Sequence, residues 1–104
     1  MKTIITSTGN KLKSNFDLRF GRAGWFCLLD EETGQTTFYE NEFMDAVQGA
    51  GTKVVEKVVG LGAEKVISGD FGPKAKELLD RFNIQMVILP DNAVTVKDVI
   101  DKIK

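Results

Sequence analysis

The chain of 104 residues has no histidine and a single cysteine, Cys27. One cysteine excludes an internal disulfide, and without an imidazole to help it also excludes a zinc site or four-cysteine iron–sulfur site built by one chain. Any transition-metal chemistry must bring most of its own ligands. A positive surplus is missing too, since 14 Lys and Arg face 15 Asp and Glu for a net charge of −1. A dedicated nucleic-acid binder needs a basic surface, so no nucleic-acid partner is expected. No apolar run approaches the length that crosses a bilayer, and the first residues read as a strand rather than a charged-then-apolar signal. The expectation is a cytoplasmic protein with no membrane partner. Repeats, linkers and low-complexity tracts are absent as well.

What is present suits one globular domain over residues 1–104. The hydrophobic share of 42% and charged share of 28% are ordinary. A chain this long buries roughly 65% of its unfolded surface, enough for a real core.

Lys2 to Ser7 reads as a first strand with Ile4 and Ile5 on opposite faces, which implies a central strand covered on both sides. Thr8 to Ala23 is polar and punctuated by glycine, and so long a stretch without periodicity is more often functional than idle. Trp25 to Asp30 and Gln35 to Asn41 form a hairpin around Glu31-Glu32-Thr33-Gly34. Val54, Val55, Val58, Val59 and Leu61 recur at helical spacing, predicting a helix over Gly51 to Gly60 that depends on burial, because valine is a mediocre helix former. Lys65 to Ser68 is a fourth strand. Pro73 then opens a helix that buries Ala75, Leu78, Leu79 and Phe82. Ile84 to Leu89 is a fifth strand closed by Pro90-Asp91-Asn92, and Thr95 with Asp98 forms a capping box before a last helix striped by Val96, Val99, Ile100 and Ile103. Strands alternating with helices predict a parallel portion of sheet, to which the hairpin adds an antiparallel strand.

If the second strand pairs antiparallel with the first, five segments meet at one sheet end: Thr6 to Asn10, Arg19 to Ala23, Asn41 with its connector, Gly49 to Lys53, and Ser68 to Pro73. Ligands of open α/β sheets bind at the carboxyl ends of the parallel strands. Helix starts at Gly49-Ala50-Gly51-Thr52 and Gly69-Asp70-Phe71-Gly72 would present unpartnered N–H groups there, with Arg19 and Arg22 adding charge. The candidate binding residues are Thr8, Gly9, Arg19, Gly21, Arg22, Gly49, Ala50, Gly51, Thr52, Gly69 and Gly72, with no catalytic residue and no metal ligand specified.

Each piece also has a plainer reading. Glycines before helices often serve turn geometry alone, and neither glycine pattern matches a P-loop or a dinucleotide fingerprint. Arg19 and Arg22 could pair with Asp17, Asp70 or Glu40, and Asp70 would oppose an anion. Cys27, amid Trp25, Phe26, Leu28 and Leu29, reads as an inert core thiol. Phe43 and Met44 are either loop packing or a partner contact. Asp17, Asp30 and Asp70 do not cluster as a two-metal nuclease requires.

Arg19-Phe20-Gly21-Arg22-Ala23 before an aromatic strand, Glu40-Asn41, Gly49-Ala50-Gly51 opening a helix, and Ser68-Gly69 followed by Phe71-Gly72-Pro73-Lys74-Ala75 together resemble the dinitrogenase iron-molybdenum cofactor biosynthesis family. The resemblance runs from Lys2 to about Leu89. It implies a ribonuclease H-like α/β fold, a mixed five-stranded sheet in the order 3-2-1-4-5 with strand 2 antiparallel and about three flanking helices. It also implies a protein that binds or carries a preassembled metal–sulfur cofactor, of which the iron–molybdenum cluster is one, rather than an enzyme. On matching positions, Gly21 with Arg22, Gly49 to Gly51 and Gly69 to Pro73 would line the site. This sequence departs from the family in having no histidine, and Gln48 stands where many relatives have glycine or histidine. A sulfide-rich cluster would then be held by Arg22 and helix N-termini, with Cys27 contributing only if exposed.

The functional expectation is a small binding protein, monomeric because neither edge strand is long and wholly apolar, with a cluster donor or acceptor as partner. The alternative is a regulatory module that binds a phosphate-bearing small ligand at the same turns, or a protein partner through Phe43 and Met44.

Overall fold

Ile4 and Ile5 are adjacent, fully buried, and belong to different cores. That follows from the alternation of a strand covered on both faces. The structure is a computed structural model that describes residues 1–90 and 94–103. Its elements in chain order are β1 (Lys2–Ser7), β2 (Trp25–Asp30), β3 (Thr36–Glu40), α1 (Ala50–Gly60), β4 (Lys65–Ser68), α2 (Pro73–Arg81), β5 (Gln85–Ile88) and α3 (Val96–Ile103).

The sheet runs β3-β2-β1-β4-β5. β2 is antiparallel to both neighbours, whereas β1, β4 and β5 are mutually parallel, so the order and the lone reversed strand are those the family resemblance implies. Register sets Ile4 beside Leu28 and Val66, and Ile5 beside Cys27 and Ile67. On the Ile4 face, α1 and α2 bury Val54, Val55, Val58, Ala75 and Leu79 with Phe20 and Phe71. On the other face α3 buries Val96, Val99 and Ile100 against Ile5, Cys27 and Leu29.

Boundaries move by a residue or so, as helix and strand ends do. α1 starts at Ala50, and β3 and β5 are each shorter at both ends than their alternation suggests. The turn at Asp91 and Asn92 lies outside the described residues. Phe82, expected in the core, is 52% exposed. α2 stops at Arg81, the chain turns through Asn83 at φ 58°, and Ile84 takes the buried place instead. The capping box of α3 is present, with the Thr95 N–H donating to Asp98 Oδ2 at 2.9 Å and the Asp98 N–H to Thr95 Oγ1 at 3.1 Å. No helix among the described residues is long and apolar enough to cross a membrane.

Candidate functional site

The segment between β1 and β2 is irregular yet firmly tied. Phe16 is buried on the α3 side and Phe20 on the α1/α2 side, where its ring lies 5.2 Å from that of Phe71. Between them the buried Asp17 carboxylate gathers four donors: Arg19 N–H at 3.0 Å, Arg19 Nε and Nη2 each at 3.1 Å, and the Gly24 N–H at 3.3 Å. Arg19 is therefore occupied by an ion pair. The hydrogen bonds that the guanidinium donates to Asp17, and then the charge of that carboxylate, push the Arg19 pKa further up. At the carboxyl ends of β1 and β4, the Thr6 hydroxyl donates to the Asp17 carbonyl at 2.5 Å and stands 2.9 Å from the Ser68 hydroxyl.

Asn41, just past β3, ties the next two pieces together. Its buried amide donates to the carbonyls of Gly21 at 3.0 Å and Ala23 at 2.8 Å, while its Oδ1 accepts from the Phe43 N–H at 2.9 Å. Arg22 is thus carried on a loop clamped from behind. Its Nη1 donates to the carbonyls of Met44 at 2.8 Å and Ala46 at 2.5 Å, and among the described residues it meets no carboxylate. Two of its three guanidinium nitrogens have no described protein partner, so the side chain retains donors for a ligand.

These segments enclose a groove of about 440 Å³ between the first turns of α1 and α2. Gly49 (φ 76°, ψ 17°) and Gly72 (φ 72°, ψ 157°) precede the two helices in conformations that side chains resist, so glycine is needed at both turns. Neither helix has a side-chain cap or an acidic residue in its first turn. Intrahelical bonding begins only with Lys53 N–H to the Gly49 carbonyl and Lys76 N–H to the Gly72 carbonyl, both at 3.1 Å. The N–H groups before those positions are left without intrahelical partners on residues that line the groove, where the partial positive charge of each helix adds to that of Arg22 and Lys74. Among the described residues no carboxylate lines the groove. Asp70, the acid that threatened an anion, is not among the lining residues, and its Oδ1 accepts from the N–H of Gly72, the N-cap of α2, at 3.3 Å.

Of the residues singled out from sequence, Gly21, Arg22, Gly49, Ala50, Gly51, Thr52 and Gly72 line this groove. Thr8, Gly9, Arg19 and Gly69 do not. The chain after β1 leaves toward α3, where the Ser14 carbonyl accepts from Val96 and the Leu12 carbonyl from Lys97, both at 2.9 Å, and this carries Thr8 and Gly9 away. Gly69 is small for packing, because a Cβ there would stand 2.6 Å from Leu18 Cδ2 and 2.8 Å from its Cα. Phe71, Pro73, Lys74 and Ala75 also line the groove. Lys74 carried a usable signal, since it directly follows a proline at the first helical position and so had to sit in the same turn as the N–H donors. The clamping role of Asn41 had none.

The donor set suits an anion and does not suit a bare metal ion. Among the described residues no group of three or more His, Cys, Asp or Glu could hold a metal. Cys27 is fully buried in mid-sheet, and burial pushes its thiol pKa up to about 12. Near neutral pH it stays a protonated, buried thiol.

Mixed sheet and groove together define a small α/β protein whose groove gathers two helix N-termini and two basic side chains at one sheet end. Residues 1–104 match the family described as dinitrogenase iron-molybdenum cofactor, and the chain belongs to that family. Among solved structures it is similar to the apo form of the orange protein (ORP) from Desulfovibrio gigas, with 26% identity, a TM-score of 0.92, and 98% of this chain and 85% of that one covered. It is similar also to a NifB-like protein from Thermotoga of the DUF35 family, at 33% identity, a TM-score of 0.84 and the same 98% and 85% coverage. A search of the curated proteins found no match.

Proposed function

We propose that this chain is a small cytoplasmic binding or carrier protein for an anionic metal–sulfur cluster or its precursor, of the iron–molybdenum cofactor type, and that it is not an enzyme. The observation that carries the reading is the pairing of two helix N-termini that lack side-chain caps with Arg22 and Lys74 around one groove that no carboxylate lines among the described residues. Family membership and likeness to the orange protein support it.

The cargo keeps its own sulfide ligands. Backbone N–H groups and the two cations neutralise its charge, and the groove walls of glycine, alanine, Pro73 and Phe71 suit a large, weakly hydrated anion better than a small, strongly hydrated one. With no acid or thiol among the described residues that line the groove, binding and release are electrostatic, and a donor or acceptor protein completes the transfer. The protein acts as a monomer.

The test is an anaerobic titration of isotope-labelled protein with tetrathiomolybdate and with an iron–sulfur cluster donor, read by amide shifts and by metal analysis after desalting. Retained metal with shifts confined to Gly21, Arg22, Ala50 to Thr52 and Lys74 supports the carrier. No retention with either compound overturns it. Thermal stabilisation by nucleotides or phosphate esters alone would transfer the groove to a phosphate-bearing ligand.

A further inference from the structure

The glycines around the groove do not all have the same reason to be glycine. Gly49 and Gly72 have positive φ. Gly21 is pressed against the start of α1, where a Cβ would stand 2.9 Å from the Gly51 nitrogen. Gly51 itself has neither reason. It is the second residue of α1 with φ outside the left-handed region, and a Cβ built on it meets only the Ala75 Cβ at 3.5 Å, an ordinary contact.

Within a helix, glycine is the poorest residue after proline, and alanine is the best. The fold would therefore gain from a methyl group at this position and has room for one. The room in question belongs to the groove, because Gly51 and Ala75 both line it and lie one on each helix. The same methyl that would suit the helix would project toward Ala75 beside the groove that both residues line.

We infer that Gly51 is a specificity-determining residue: its missing side chain forms the groove floor, lets a bulky anion reach the first-turn N–H groups of α1, and limits how large a bound anion can be. This rests on the carrier reading of the groove. Gly60 supplies a matched control, because it is the last residue of the same helix, has nothing within 4 Å of a built Cβ, and does not line the groove.

The experiment compares the full chain with its Gly51→Ala, Gly51→Val and Gly60→Ala variants by thermal midpoint and by dissociation constant for tetrathiomolybdate. Gly51→Ala should melt at or a few degrees above the unsubstituted protein while binding at least tenfold more weakly. Gly51→Val should bind more weakly still with an unchanged amide fingerprint elsewhere. Gly60→Ala should gain in midpoint and bind as before. If Gly51→Ala binds with undiminished affinity, the groove-floor role is overturned while the carrier reading stands. If Gly51→Ala melts well below the unsubstituted protein, the glycine serves packing and the inference is again overturned. If the unsubstituted protein retains no thiomolybdate, the carrier reading falls and takes this role with it.

Discussion

Asn41 reaches across from the end of β3 to donate its side-chain N–H to the Gly21 carbonyl at 3.0 Å. With its bonds to Ala23 and Phe43, this one buried amide fixes both the loop that carries Arg22 and the connector that Arg22 holds. Asn41→Leu would leave two carbonyls and one N–H without partners. Unmade buried hydrogen bonds of this kind cost about 1–3 kcal/mol each, softened where water can enter. The variant should lose about 2–3 kcal/mol in urea unfolding, and tetrathiomolybdate binding should weaken because Arg22 is no longer positioned. Unfolding unchanged within about 0.5 kcal/mol would show that the clamp is idle.

Arg22 spends one nitrogen on the connector and lines the groove, its other two guanidinium nitrogens having no partner among the described residues. Arg22→Ala should therefore do two things at once. Chymotrypsin should cleave faster after Phe43 or Met44, because the Met44 and Ala46 carbonyls lose their donor. Tetrathiomolybdate should bind more than tenfold more weakly. Lysine at this position would restore charge without the fork, so Arg22→Lys should recover part of the affinity and little of the protease resistance. Equal affinity in the unsubstituted and alanine proteins would remove Arg22 from the site.

Cys27 provides a pH signature. Its folded pKa of about 12 lies above the ordinary value of 9.0 because burial disfavours the thiolate. The resulting stability is complete below about pH 9 and declines as the pH rises from there toward 12, since the unfolded chain ionises first. A Cys27→Ala variant should lose that alkaline dependence, cost about 1–2 kcal/mol near neutrality for the cavity, and bind tetrathiomolybdate as before. In the native protein an aromatic disulfide reagent at pH 8 should react only at the rate of global unfolding. Rapid labelling would contradict the burial described.

Thr3 buries a hydroxyl that finds no hydrogen-bond partner among the described residues. Such a group costs about 1–3 kcal/mol in proteins. Thr3→Val keeps the branched shape and removes the unpaired atom, so the unfolding free energy should rise by about 1 kcal/mol. A fall of that size would mean that the hydroxyl has a partner after all.

Much of the fold was legible because its signals are local. The paired isoleucines at Ile4 and Ile5 mark a two-sided strand, Pro73 marks a helix start, and Thr95 with Asp98 marks another. Where two local signals competed, the sequence misled. Phe82 continues the apolar spacing of α2, yet Ile84 fills the core place after the turn at Asn83. That choice depends on the room left beside β5, which no helix periodicity encodes.

Composition already excludes a self-contained soft-metal site, because the chain has no histidine and one cysteine in an apolar strand, and the sequence supplies the glycine-bearing helix starts and the arginine and lysine charge that suit an anion. Tertiary structure alone decided which charges are available and where. Arg19 and Arg22 lie three residues apart on one loop, but Asp17 is buried within reach of the first and not the second, so Arg19 is neutralised while Arg22 opens onto the groove with Lys74. Ion pairing depends on distance through space after the loop has closed over both faces of the sheet, and distance through space is the quantity that a linear order of residues does not contain.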